Sequence, residues 1–176
     1  MTVHQDTPTS IQFRMAARGL IVQNNRLLLV SDDGEYWYLP GGRLENSENL
    51  RECVEREVYE ETGLMVKTGP LLHVLECFDL RDHLHKINFY FQATVLKGSL
   101  SDAWNDEGGT VQFRQYFSLE EIQKNARIIP RFLAAGDWCR EDSSSVNHTV
   151  YQECIWMRGF ETVEFPEEEL SLAARM

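Results

Sequence analysis

The chain has 176 residues, 43% hydrophobic and 26% charged, an ordinary globular mixture that suits one domain with a sizeable core and hardly two. Its formal net charge is −11, which argues against non-specific binding to nucleic acid, because phosphate contacts need clustered Lys and Arg. Residues 1–10 are polar and read as a loose arm with no apolar run after it long enough for a signal peptide or membrane span. No membrane partner is expected, and Cys53, Cys77, Cys139 and Cys154, none of them in a CxxC pair, read as reduced thiols of a cytoplasmic protein.

The first predicted element is a β-hairpin. Residues 13–22 are mostly small and apolar, residues 26–30 are apolar, and Gln23-Asn24-Asn25 forms the turn between them. Asp32-Asp33-Gly34 is a second turn, and Trp37, Tyr38 and Leu39 form a short strand ending at Pro40-Gly41-Gly42. Residues 47–62 read as a helix, with Ser47 as N-cap, Glu48 in the first turn and Gly63 as the C-terminal stop. Residues 64–78 are strand-rich and broken at Gly69-Pro70. Residues 87–95 alternate: Ile87, Phe89, Phe91, Ala93 and Val95 share one face, and Asn88, Tyr90, Gln92 and Thr94 the other. Residues 97–109 are polar and loop-like, residues 111–117 a strand. Ser118 then caps a helix through Leu119, Glu120, Glu121 and Ile122, and a further short helix follows Pro130. Residues 141–148 read as an exposed loop; residues 151–165, rich in aromatic and apolar side chains, are either a closing strand or a dimer contact. Strands interrupted by one long helix and one or two late helices give a mixed α/β layer fold.

The long helix breaks its own pattern. On a wheel of 100° per residue, Leu50, Cys53, Val54 and Val58 cluster on one side, and Arg51, Glu52, Glu55 and Tyr59 lie on or near the other. Yet Glu57 and Glu61 fall inside the apolar sector and Glu60 at its edge. Burying unpaired carboxylates is costly, and Glu60 and Glu61 also occupy the last turn, where the helix dipole disfavours negative charge. A hard divalent cation resolves both conflicts, since Mg²⁺ seeks carboxylate oxygens.

Gly42, Glu48, Arg56, Glu57, Val58, Glu60, Glu61, Gly63 and Leu64 stand at the spacing of the Nudix box; a chance match at all of them is on the order of one in 10⁵ per chain. The region from Phe13 to Ile122 also resembles the Nudix domain in its order of elements. The resemblance implies a Nudix-like α/β/α sandwich with a mixed β-sheet and one catalytic helix. It fills residues 11–176 as a single domain with a C-terminal extension from about residue 126.

By the same resemblance, the Gly42 carbonyl and Glu57, Glu60 and Glu61 hold Mg²⁺ or Mn²⁺, and Arg56 orients the carboxylates with Glu48 as its partner. Asp106 and Glu107, in the loop before residues 111–117, are candidates for an extra ligand. One of the box acids, with Glu57 a candidate for either role, or an acid of that loop takes the proton from water. Trp37, Tyr90 and Phe91 are available to stack on a base, and His83 and His85 to touch phosphate, although packing explains the former and an exposed turn the latter. The implied activity is metal-dependent hydrolysis of a diphosphate bond in a small-molecule substrate, a nucleoside diphosphate linked to another moiety such as ADP-ribose or a nucleotide sugar. The alternatives are a nucleoside triphosphate pyrophosphohydrolase and a non-catalytic nucleotide-binding module. A homodimer is compatible with all three.

Overall fold

The computed structural model describes residues 10–79, 83–139, 150–158 and 161–164. Helix α1 (Leu50–Thr62) is fixed at both ends by its own sequence. The Asn49 side chain accepts from the backbone N–H groups of Arg51 and Glu52 while the Glu52 carboxylate accepts from the Asn49 N–H, a reciprocal capping box. Ser47, expected as the cap, lies outside the helix with φ +71°. The reason is local: Asn49 is followed three residues later by Glu52, and Ser47 by Leu50, which cannot return a hydrogen bond. At the other end Gly63, at φ +74°, donates its N–H to the Tyr59 carbonyl. Asn49→Ala is expected to cost about 1 kcal/mol, read as a lower urea midpoint at unchanged slope; an unchanged midpoint would show that the cap is dispensable.

The strands are β1 (Gln12–Leu20), β2 (Val22–Gln23), β3 (Arg26–Ser31), β4 (Gly41–Arg43), β5 (Met65–Asp79), β6 (Leu84–Lys97), β7 (Phe113–Phe117), β8 (Val150–Arg158) and β9 (Glu161–Glu164). A six-stranded sheet has the order β4-β1-β6-β5-β8-β9, and a three-stranded sheet the order β2-β3-β7. The large sheet is mixed: β1 runs parallel to β6 and β5 to β8, and its other pairs are antiparallel.

The expected hairpin does not form as such. β1 enters the large sheet, and only Val22 and Gln23 fold back on β3, around Asn24 and Asn25 at φ +50° and +58°. Nine residue pairs between β1 and β6 outweigh the two between β2 and β3. The chain changes sheets at Ile21, which is fully buried and whose carbonyl accepts from the Leu28 N–H at 2.9 Å. Trp37 and Tyr38 make single bridges, to Ile128 and Val30, in place of the expected strand. Gly69-Pro70 does not break β5; the strand runs through it with register shifts on either side of Leu71, as at a β-bulge. The strand expected over 111–117 begins only at Phe113.

β6 alternates as expected, but both of its faces are covered. Phe91 and Ala93 pack with Ala17, Cys53, Val54 and Val58 beneath α1. Tyr90, on the supposedly polar face, joins Leu20, Leu29, Trp37, Leu39, Leu75 and Phe117 in a second core between the two sheets. Trp37, Tyr90 and Phe91 are therefore core residues, not free stacking platforms. His85 pairs with Glu76 and stacks on Phe78 at 4.0 Å between ring centroids, and His83 sits exposed at φ +48°.

Ser118 caps α2 (Leu119–Lys124) with Glu121 returning the bond, and two 3₁₀ turns, Arg131–Ala135 and Asp137–Cys139, follow Pro130. The loop expected over 141–148 and the arm over 1–9 lie outside the described residues. In the last segment the β8 backbone extends the large sheet beside β5 and is edged by β9, the closing-strand arrangement. Among the described residues no helix is long and apolar enough to cross a membrane.

Candidate active site

Val54 and Val58, both fully buried, press α1 onto β1. This fixes the rotation of the helix, and with it the direction of the acids three residues on. Glu61 is only 9% exposed; the Glu57 side chain is 16% exposed and that of Glu60 49%. The burial follows the wheel, with Glu57 and Glu61 inside and Glu60 on the rim.

Opposite them runs β4. The Gly41 N–H donates to Glu61 Oε2 at 2.8 Å. A β-carbon on Gly42 would lie 2.5 Å from the Glu57 carboxylate, so a side chain there would occupy the space the acid uses. Arg56 crosses the cluster. Its Nε and Nη2 donate to the two Glu48 oxygens at 3.0 and 2.7 Å, while Nη1 donates to Glu57 at 2.9 Å and to Glu60 at 3.1 Å. The expected partnership with Glu48 is present, and the same guanidinium also reaches two of the other acids.

The electrostatics divide the carboxylates. The Arg56 hydrogen bonds hold Glu48 down to about 2. Burial pushes Glu57 above the ordinary carboxylate range, with Arg56 opposing it. Burial pushes Glu61 up to about 8; Arg18 and the Gly41 N–H oppose the rise, and the charges of Glu57 and Asp106 add to it. Of the two loop acids, Asp106 is half-buried and felt by Glu61, its Oδ2 held by the Val111 N–H at 3.0 Å; Glu107 is exposed.

Three residues that the sequence reading passed over complete the site. Arg18, on β1, donates to the carbonyls of Leu39 and Gly41 at 2.7 and 3.0 Å, and its positive charge favours the ionised form of Glu61. Its signal was a cation within the small and apolar half of β1, after Ala16 and Ala17 and before Gly19 and Leu20. Arg114 donates Nε to the Glu61 carbonyl, and Trp104 donates Nε1 to the Glu60 carbonyl at 2.9 Å. These two donors satisfy the acidic helix's C-terminal carbonyls. Neither carries a local signal, since each comes from more than forty residues away.

Among the described residues no three Asp, Glu, His or Cys side chains form a ready-made metal cage; Arg56 engages Glu57 and Glu60, and Gly41 engages Glu61. The donor set nevertheless suits a hard divalent cation. Its atoms are oxygens, and two of its carboxylates are held out of water in a way that favours protonation. A nearby dication reverses that preference.

The NUDIX domain model matches residues 13–135. An ADP-ribose pyrophosphatase of Methanocaldococcus jannaschii is 32% identical over 116 residues, 64% of this chain and 66% of that protein. Diphosphoinositol polyphosphate phosphohydrolase 3-alpha of Mus musculus is 34% identical over 104 residues, 58% of this chain and 60% of that protein. The matches thus span somewhat under two thirds of these relatives' lengths. The crystal structure of an ADP-ribose pyrophosphatase from Streptococcus suis superposes with a TM-score of 0.57 at 22% identity, covering 78% of this chain and 96% of the other, a likeness of fold. With the box residues gathered on one helix and strand, and the domain model matching most of the chain, this protein belongs to the NUDIX family.

Proposed function

We propose that the protein is a metal-dependent hydrolase that cleaves the diphosphate bond of a nucleoside diphosphate linked to a second moiety, such as ADP-ribose or a nucleotide sugar. The observation that carries this reading is the pair of carboxylates, buried Glu61 and half-buried Glu57, set against the side-chain-free backbone of Gly41 and Gly42. An acidic protein keeps such groups against their solvation cost only where a cation or a proton transfer uses them.

Glu57, Glu60, Glu61 and the Gly42 carbonyl would hold Mg²⁺ or Mn²⁺, with Asp106 favoured over the exposed Glu107 as a further acid. When bound, the metal neutralises diphosphate oxygens and makes water more acidic. Arg56 keeps Glu57 and Glu60 in place and, through Glu48, ties them to the loop before the helix. Glu57 or Glu61 takes the proton as the water oxygen bonds to phosphorus and the bridging P–O bond breaks. The similarity to an ADP-ribose pyrophosphatase supports the choice of a linked diphosphate over a triphosphate.

Activity is expected to vanish in excess chelator and return with Mg²⁺ or Mn²⁺, and the metal is expected to raise the melting temperature of the protein that binds it. Full activity in excess chelator would sink the proposal. Product analysis separates the substrates: a diphosphate-linked sugar yields a nucleoside monophosphate and a sugar phosphate, and a triphosphate yields a nucleoside monophosphate and pyrophosphate. Turnover of triphosphates alone would replace the linked-sugar reading. Tight metal-assisted nucleotide binding without turnover would make the chain a binding module.

A further inference from the structure

The large sheet carries two cations, Arg14 and Lys86, that the hydrolysis site does not use. Arg14 on β1 lies opposite Lys86 on β6, and four residues further along Arg18 lies opposite Tyr90. Paired residues share a face of the sheet, and residues two apart on a strand share it too. Arg14, Arg18, Lys86 and Asn88 therefore stand on one face, the face that also bears Tyr90 and packs towards the small sheet.

Arg14, Lys86 and Asn88 carry few polar contacts among the described residues. Among the described residues Arg26, Arg56, Lys67, Lys124 and Arg127 form ion pairs with carboxylates. Arg14 is in none of them and donates only to Gln12, at 3.4 Å. Arg18 is committed to two backbone carbonyls. Lys86 is half-buried and has neither an ion pair nor a side-chain hydrogen bond among the described residues. Its ammonium pKa is depressed first by burial and then by the positive charges of Arg18 and Arg14. Asn88, between Lys86 and Tyr90 on the same face, is 5% exposed, and its amide has no hydrogen-bond partner among the described residues. Arg14 and Lys86, side by side across β1 and β6 with no carboxylate paired to either among the described residues, repel each other, and an anion joining them would relieve that repulsion.

We propose that the face carrying Arg14, Lys86 and Asn88 binds a phosphate monoester on the part of the substrate beyond the scissile diphosphate, so that the preferred substrates carry at least one phosphate more than the diphosphate itself. The proposal rests on the hydrolase reading for the position of the diphosphate. Arg18, hydrogen-bonded to Gly41, marks the end of the face nearest Glu61. Arg14 is four residues from Arg18, about 13 Å along the strand, too far to share the same diphosphate and a fitting distance for a group across a sugar or other ring. A phosphate monoester is a dianion with three acceptor oxygens, which suits a guanidinium, an ammonium and an amide N–H₂ approaching from different strand positions. The extra phosphate has two possible sources, the ribose of a nucleotide or a polyphosphorylated ring.

The test is calorimetric titration of the full chain, with Mg²⁺ present, against AMP, adenosine 2′,5′-bisphosphate, adenosine 3′,5′-bisphosphate and inositol hexakisphosphate. At least one of the last three is expected to bind about tenfold or more tightly than AMP, and the compound that does so identifies the source. Lys86→Met keeps the aliphatic stem and is expected to bring that ratio to within about threefold. Arg14→Gln, at an exposed position that a fold tolerates, is expected to lower the ratio part of the way. Binding of all three compounds within about threefold of AMP overturns the proposal, as does a preference that both variants leave unchanged. Because the readout is binding, a failure to hydrolyse any diphosphate would remove the hydrolase reading and leave this result standing. Hydrolysis without the binding preference would remove this proposal alone.

Discussion

Glu61→Gln is expected to remove most turnover and, without metal, to give a protein more stable than its parent at alkaline pH. The substitution keeps the shape and an oxygen to accept the Gly41 N–H, and it deletes the charge. Loss of a proton acceptor or metal-binding carboxylate typically lowers kcat by roughly 10²–10⁴-fold. The stability effect has a definite sign. Glu61 is held at about 8 in the folded protein, above its ordinary 4.5, so the fold opposes its ionisation. Stability is full below the lower value, falls as pH rises between the two, and is at its lowest above the higher one. The parent is therefore expected to lose on the order of a few kcal/mol between pH 5 and pH 8 through this group, and the Gln variant is expected not to. Urea unfolding in chelator at both pH values checks this, with the gap open at pH 8 and closed at pH 5. Native turnover in the variant, or a variant less stable than the parent at pH 8, would count against the assignment of Glu61.

The second large effect is steric. Gly41 has φ +135°, and a β-carbon there would stand 2.3 Å from the Ala17 carbonyl oxygen and 2.6 Å from the Arg18 Cα. Both atoms belong to the backbone of β1, which is held by β6 on its other side, so neither can yield cheaply. Gly41→Ala is expected to cost roughly 3–5 kcal/mol, the sum of a strained backbone and an overpacked contact. That is a large share of a typical domain's total stability, and thermal unfolding would show it as a melting temperature lower by about 10 °C or more. Its neighbour behaves differently. At Gly42 the β-carbon would meet the mobile end of Glu57, so Gly42→Ala displaces the acid and lowers activity with a smaller stability loss. Equal melting temperatures for Gly41→Ala and its parent would show that β4 does not sit where the glycines place it.

These two positions also show what could be read in advance. The helix and its acids were legible because helical periodicity is a local property: Val54 and Val58 mark the buried side, and Glu57 and Glu61 share it whatever the rest of the chain does. The Gly-Gly turn was legible for the same reason. The helix start was misplaced by two residues because Ser47 and Asn49 are both good caps, and only the reciprocal bond from Glu52 decides between them. The hairpin was misread because the competing partner of β1 lies seventy residues downstream, and no local pattern reports a parallel pairing at that distance. Alternation placed Asn88, Tyr90, Gln92 and Thr94 on one face without saying what covers it: a sheet covered on both faces still alternates, and only the second layer reveals that Asn88 and Tyr90 are inside. Arg18, Arg114 and Trp104 reach the site from elements that the motif does not include.

The passage of the chain from β1 in the large sheet to β2 in the small one through the single residue Ile21 couples the two layers mechanically. With no linker between them, one sheet cannot tilt against the other without breaking the pairing of β1 with β6 or of β2 with β3. Amide exchange in β1, Ile21 and β3 should then proceed through a single cooperative opening. Any adjustment to ligands of different size falls to the segments outside that unit, above all the loop bearing Trp104 and Asp106, which meets α1 only at its end.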